Sequence, residues 1–580
     1  MTRSLRTRLT IFIATWSLLA HPAVLPAASP APVRAEQGMV VTAQALASNI
    51  GVQVLRNGGN AVDAAVAVGY ALAVVYPTAG NIGGGGFMTI RMKDGRTTFL
   101  DFRERAPKAA TKTMYLDDKG DVVKGRSTET MLAVGVPGTV MGLETARERF
   151  GTQSRAQLMS PAIRLANDGF TLQQADARIL ASGTKKFMRD EAAQAIFLDP
   201  NGKPFAEGHV LRQRELGSVL ARISEDGPQA FYRGPVAEAI VATSQKLGGI
   251  LAKEDFEAYR VRELSPVTCS YRGYQIISSP PPSSGGVILC EILNILETYD
   301  LKGSGYGSAK TVHAMVEAMR YAYADRNAAL GDPDFVNNPV STLLSKDYAK
   351  RIRAAIDPDK AGKSDGIKPL AHESTETTHY SIVDKEGNAV SVTYTLNGAF
   401  GTGIVAAGTG ILLNNEMDDF TSKPGTANLY GLVQGEANAI APGKTPLSSM
   451  SPTIVTRDNQ LFMVIGSPGG ARIITITLEA IINVIDHGMN IQEAIDAPRI
   501  HHQWLPDSVA TEPFALSPDT LSTLRDMGYE IGVDMRWPIW GQAAGILVGG
   551  EDLAEIEAGD GARLNGAIDS RAAAGAARGY

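Results

Sequence analysis

The sequence predicts a mixed α/β fold, and three observations predict it. Behind an apolar N-terminal segment, helical and strand periodicities alternate without internal repeats or long low-complexity linkers. Helical spacing dominates between residues 140 and 360, as in Val312 to Ala329. From Thr377 onward the texture shifts to short alternating strands and turns. The 580 residues are 44% hydrophobic and 20% charged, enough for several domains or one large layered one. A formal net charge of -6 and the lack of any long basic run argue against a nucleic-acid partner.

In chain order, Arg3, Arg6 and Arg8 precede an apolar run, Leu9 to Ala20, and a small-residue stretch, Ala23 to Ala35. That order reads as a secretory leader, residues 1–35, cut between Ala28 and Ala35. The product is then exported, periplasmic or secreted. An uncleaved anchor is the alternative, although the run is short of the ~20 residues a span needs. Asn57-Gly58-Gly59-Asn60 is a turn, with Asn60 placed to cap the helix after it. That helix, Ala61 to Val75, is apolar but carries Asp63 and Gly69 and stops before Pro77, so it is a buried helix and not a span. Gly83 to Gly86 precede a strand, Phe87 to Met92; with no GxxxxGK[ST] following, close backbone packing explains them better than a phosphate loop. Pro280 to Gly286 forms a loop ahead of another helix, and the polar stretch 360–376 reads as an exposed segment suited to a cut. Cys269 and Cys290 are expected as buried free thiols, with pairing as the alternative.

Thr377 to Asn397 reads as a hairpin. On its second arm Val390, Val392, Tyr394 and Leu396 share one face, while Ser391, Thr393, Thr395 and Asn397 share the other. The turn Lys385-Glu386-Gly387 fits a three-residue loop with Gly387 in the left-handed position of a G1 bulge. If Asp384 faces Asn388, Thr377 falls opposite Thr395, with Cβ atoms ~5 Å apart. Two hydroxyls then lie within reach of each other. By itself such a Thr–Thr pair is commonly only structural.

Thr377-Thr378-His379-Tyr380-Ser381, Gly387-Asn388-Ala389-Val390 and Thr393-Tyr394-Thr395-Leu396-Asn397 resemble the γ-glutamyltranspeptidase family. The resemblance continues through Asn414 to Phe420, Pro446 to Pro452 and Gly466 to Gly470. Upstream it takes in Asp101 to Glu104, Gly135 to Gly138, Pro161 to Phe170 and Tyr323 to Arg326. It implies an N-terminal-nucleophile hydrolase with an α/β fold, the αββα four-layer sandwich. It also implies a precursor cut between Glu376 and Thr377 into a large subunit, 36–376, and a small one, 377–580.

The resemblance further implies the roles. Thr377 becomes the nucleophile with its own freed α-amine as base. Thr395 orients it, and Gly469 and Gly470 offer N–H groups to the oxyanion ahead of a helical pattern near Arg472. Arg103, Ser448 and Ser449 receive the α-carboxylate of a γ-glutamyl group; Asn397, Glu416 and Asp419 receive its α-ammonium. Relatives carry Glu or Gln at the position of Glu416. Tyr430 lies on a lid loop, Pro424 to Gly435. The implied substrates are glutathione, γ-glutamyl amides and amino-acid acceptors, with no cofactor and no metal. Related glutaryl-cephalosporin acylases share the pattern. The tail, Ala572 to Tyr580, departs from it and leaves terminal packing open.

Three rivals are weaker. Ser182 to Lys185 satisfies S-x-x-K without SDN or KTG partners. His501-His502 and His372-Glu373 lack metal-ligand spacing. An exported binding protein of related fold that has lost processing is the non-enzyme alternative.

Overall fold

The computed structural model describes residues 29–364, 377–535, 540–559 and 561–580; most of the leader and Glu376 lie outside the described residues. Two seven-stranded antiparallel sheets stack face to face, and helices cover both outer faces. The first sheet runs Ala576–Gly579, Met39–Thr42, Thr378–Val383, Ala389–Thr395, Gly85–Arg91, Thr97–Asp101, Arg262–Leu264. The second runs Val33–Ala35, Leu564–Ile568, Ala544–Val548, Gln460–Gly466, Thr453–Arg457, Tyr274–Ser278, Val267–Tyr271. The expected αββα order is therefore present, and residues from both sides of 376 build each sheet.

Between the sheets, Met39, Val41, Val383 and Ala389 meet Ile277, Ile454, Val464, Ala544 and Ile546. Hydroxyls also cross the gap and satisfy carbonyls opposite: Thr89 Oγ1 donates to Pro452 O at 2.7 Å and Ser381 Oγ to Ala544 O at 3.0 Å. The helix Ala61–Val75 is buried along its whole length because the sheet lies under it and the helices Ala45–Arg56 and Arg155–Asp168 lie against it. Asn60 caps it as predicted, in a box closed by Asp63. Asp63 tolerates full burial because it also accepts hydrogen bonds from Thr152 and Gln153.

The glycine run is a packing feature. A Cβ on Gly84 would stand 2.0 Å from Thr395 O, and one on Gly86 2.4 Å from Thr393 O, so only glycine lets this strand lie against the hairpin.

Cys269 and Cys290 form a disulfide, correcting the expectation of free thiols. Cys269 lies on Val267–Tyr271; the next strand, Tyr274–Ser278, reverses the chain, and the helix Gly285–Leu296 then returns across the first strand. That path brings the two Cα atoms to 5.8 Å across 21 residues. The tail is also packed: Ala576–Gly579 pairs with Met39–Thr42, and Tyr580 O accepts Glu36 N at 3.1 Å. Val33–Ala35 forms a sheet edge beside Leu564–Ile568, so the ordered fold reaches into the segment assigned to the leader. Among the described residues no helix is long and apolar enough to cross a membrane.

Candidate active site

The hairpin has the predicted register. Thr378 pairs with Tyr394 and Val383 with Ala389, and Gly387 adopts φ 88° in the turn. The next pair outward is Thr377 and Thr395, and Thr377 Oγ1 donates to Thr395 Oγ1 at 3.3 Å. Thr395 Oγ1 is held in turn by Asn397 N at 2.8 Å, while Asn81 Nδ2 donates to Thr395 O at 2.8 Å. Both threonines are buried. Their aromatic neighbours face the other way, with Tyr380 and Tyr394 hydrogen-bonded to Ala65 O and Gly69 O of the buried helix. One side of the hairpin thus anchors it and the other presents hydroxyls.

Thr377 and Thr395 line a small cavity together with Arg103, Asn397, Glu416, Asp419, Tyr430, Ser448, Ser449 and Gly470. Gly469 stands one residue behind; a Cβ there would meet Ile476, and its φ of 141° sets the turn into Gly470–Arg472 and the helix Ile473–Ile485. Arg326, Leu432, Met450 and Ile473 complete the lining. In the sequence Arg326 stands out only as the end of the Tyr323 to Arg326 motif and as a charged residue on a largely buried helix.

Charge inside the cavity is concentrated and dry. Arg103 Nη1 stands 2.7 Å from Glu416 Oε1, Arg103 Nη2 bonds Asp419 Oδ2, and Nε donates to Pro446 O at 2.9 Å. The groups expected to hold opposite ends of a substrate therefore neutralise one another here. Burial opposes the charge on Arg103, but Glu416, Asp419 and Glu104 outweigh it and raise its pKa. Burial pushes the carboxyls of Glu104 and Glu416 well up against the pull of Arg103, Glu104 to about 8.

Tyr430 lines the cavity beside this cluster. Its hydroxyl donates to Asn397 O at 2.8 Å and also bonds Asn397 Oδ1, and its ring packs on Gly470, where any Cβ would stand 2.4 Å from it. Asp418 anchors the middle of the loop 424–435: it accepts Leu429 N at 2.8 Å and Ser127 Oγ at 2.6 Å. On the opposite wall, Ser448 Oγ accepts Met450 N at 3.1 Å and Ser449 Oγ accepts Arg326 Nη2 at 3.0 Å. Each serine oxygen is used as an acceptor, which leaves its hydrogen available to an anion. Among the described residues no cluster of metal-binding type occurs.

A family model described as Gamma-glutamyltranspeptidase matches residues 47–578. The Glutathione hydrolase proenzyme of Pseudomonas sp. (strain A14) is 60% identical over 557 residues, covering 96% of each chain. That of Escherichia coli (strain K12) is 52% identical over 522 residues, covering 89% of each. Among solved structures, the cephalosporin acylase from Bacillus halodurans superposes with a TM-score of 0.82 at 28% identity, covering 97% of this chain and 99% of that one. With residues 47–578 matched by the family model and these relatives aligned along most of their length, the chain belongs to the γ-glutamyltranspeptidase family.

Proposed function

We propose that the chain is an autoprocessing γ-glutamyltransferase and glutathione hydrolase, cut between Glu376 and Thr377 into subunits 36–376 and 377–580. The observation that carries this reading is the buried hydroxyl contact between Thr377 and Thr395 at the mouth of a cavity holding both signs of charge. Before the cut the nitrogen of Thr377 is an amide and no base; afterwards it is an α-amine with a reference pKa of ~8, neutral often enough near pH ~7 to accept the hydroxyl proton.

In this reaction Thr377 Oγ1 attacks the γ-carbonyl of glutathione or another γ-glutamyl amide. The N–H groups of Gly469 and Gly470 stabilise the oxyanion. The C–N bond then breaks, the proton passes to the departing amine, and a γ-glutamyl ester remains on Thr377. Water or an amino-acid amine attacks the ester, releasing glutamate or a new γ-glutamyl amide and returning the proton to the threonine. Ser448, Ser449 and Arg103 serve the donor's α-carboxylate, and Asn397, Glu416 and Asp419 its α-ammonium. Binding requires the Arg103 pairs to exchange partners, which matches ion to ion without stripping a bare charge.

Export is part of the proposal. The leader pattern and the disulfide, a bond that persists in oxidising compartments, both support it. The edge strand Val33–Ala35 favours a leader cut before Val33.

Denaturing electrophoresis with intact mass measurement tests the processing step. Wild type is expected as two fragments, the smaller beginning at Thr377, and Thr377→Ala as one uncut and inactive chain. A wild-type chain that stays whole while turning over substrate would overturn the mechanism. The likeness to a cephalosporin acylase favours glutaryl transfer as a second reading. A glutaryl amide leaves Asn397, Glu416 and Asp419 without an ammonium, so the γ-glutamyl amide should be preferred at least ~10-fold in kcat/KM.

A further inference from the structure

Arg326 differs from every other buried arginine of the site region in what it touches. It lies on the helix Ala309–Ala329, 1% exposed. Its Nε donates to Ser284 Oγ at 2.9 Å, Nη1 to Asn327 Oδ1 at 2.9 Å and Nη2 to Ser449 Oγ at 3.0 Å. These acceptors, and Gln434 Oε1 at 3.5 Å from Nη1, are neutral. Arg103, across the same cavity, is held by two carboxylates. A buried guanidinium whose hydrogen-bond partners are all neutral is left with Asp419, beyond hydrogen-bond contact, as its nearby counter-charge, and the cavity is the side from which a further anion can reach it.

Ser449 is the link. Because its oxygen accepts from Arg326, its hydroxyl hydrogen points away from the guanidinium, and the positive charge behind it polarises the O–H bond. Ser448 is likewise committed as an acceptor by Met450 N. Ser284, the other hydroxyl on Arg326, donates to Ser448 O at 2.6 Å, so the guanidinium braces the turn carrying both serines.

We infer that Arg326 is the positioning residue that turns Ser449 into a donor for the substrate's α-carboxylate and supplies that carboxylate's unspent counter-charge. This rests on the γ-glutamyl reading above. Arg103 enters the bound state already in direct contact with Glu416 and Asp419, whereas Arg326 has no carboxylate in direct contact to give up. The selectivity for a donor with an α-carboxylate then depends on Arg326 acting through Ser449, without direct contact with the reacting atoms.

The test is steady-state kinetics on processed wild type, Arg326→Gln, Arg326→Lys and Ser449→Ala with two anilides. One is the L-γ-glutamyl anilide; the other is the 4-aminobutyryl anilide, the same acyl group without its α-carboxylate. Loss of one charge-assisted contact predicts that Arg326→Gln raises KM for the γ-glutamyl anilide about 10- to 100-fold, with kcat changed less than about threefold. On the 4-aminobutyryl anilide kcat/KM should stay within about twofold of wild type, and Arg326→Lys should recover part of the lost affinity. Ser449→Ala should show the same selective KM increase, and Arg326→Lys decides the matter if Arg326→Gln is not processed. Equal losses on both anilides, or no loss on either in Ser449→Ala, would overturn the inference. A wild type that does not favour the γ-glutamyl anilide would instead sink the underlying reading of function.

Discussion

The hairpin that begins at Thr377 has a cleft at either end, and the two treat charge in opposite ways. At the turn, Asp384 to Glu386 and Asn388 line an open cleft of about 400 Å³ with Lys93, Asp94, Arg96 and Arg149. At the head, the cavity beside Thr377 measures about 20 Å³. Size alone would favour the turn end over the proposed site. In the larger cleft Lys93 pairs with Glu386 at 2.7 Å, but the side chains are 60% and 48% exposed, and water already screens them. In the smaller one Arg103 and Glu416 pair at the same 2.7 Å with both side chains 1% exposed. There each charge keeps nearly its full field, and every ionisation depends on its neighbours. Chemistry collects where water does not.

The sharpest way to break this contrast is Arg103→Gln. Removing one partner of a buried ion cluster leaves Glu416 and Asp419 facing each other, so a loss of about 3–5 kcal/mol of stability is expected, read by denaturant unfolding. Reduced processing or activity should accompany it.

Asp418, just behind the small cavity, gives an intermediate effect with a definite sign. Burial raises its carboxyl from 3.8 to about 6, against the hydrogen bonds from Ser127 and Leu429. Between those values the folded state binds the proton that the unfolded state has released. Stability should therefore fall as pH rises from about 4 to about 6, then level off, by on the order of 3 kcal/mol. Asp418→Asn has no such ionisation. Unfolding measured from pH 4 to 8 should show that part of the slope removed and the variant the more stable partner above pH 6; an unchanged slope would contradict the assignment. Smallest of all is Glu386→Gln in the larger cleft: unfolding midpoint, processing and kcat/KM should match wild type within error. A measurable loss there would erase the distinction between the two ends.

Much of the head of the hairpin was legible in the sequence because local rules set it. The Lys385-Glu386-Gly387 turn fixes the register, alternation fixes the faces, and together they place Thr377 against Thr395. Asn60 and Asp63 announce a helix start by their spacing alone. What stayed hidden depends on partners far apart in the chain. Arg103 meets Asp419 across 316 residues and Arg326 meets Ser449 across 123, and no local pattern encodes which acceptor a long side chain will find. The same holds for Cys269 and Cys290, whose pairing depends on how a helix crosses a strand. The family resemblance implies roles for Arg103, Asp419 and Ser449, but none for Arg326 and not the mutual neutralisation of Arg103, Glu416 and Asp419.

The interleaving of strands across position 376 also bears on how such a protein ages. Met39–Thr42 is flanked on both sides by strands from beyond that point, Ala576–Gly579 and Thr378–Val383, and Gly85–Arg91 borders Ala389–Thr395. A cut chain cannot come apart without tearing ladders in both sheets, so the two pieces should melt together. Once melted, however, they drift apart as separate molecules, and reassembly becomes a bimolecular encounter that dilution slows without limit. The single-chain precursor can find its fold repeatedly; the severed form keeps it only as long as its unfolding barrier lasts.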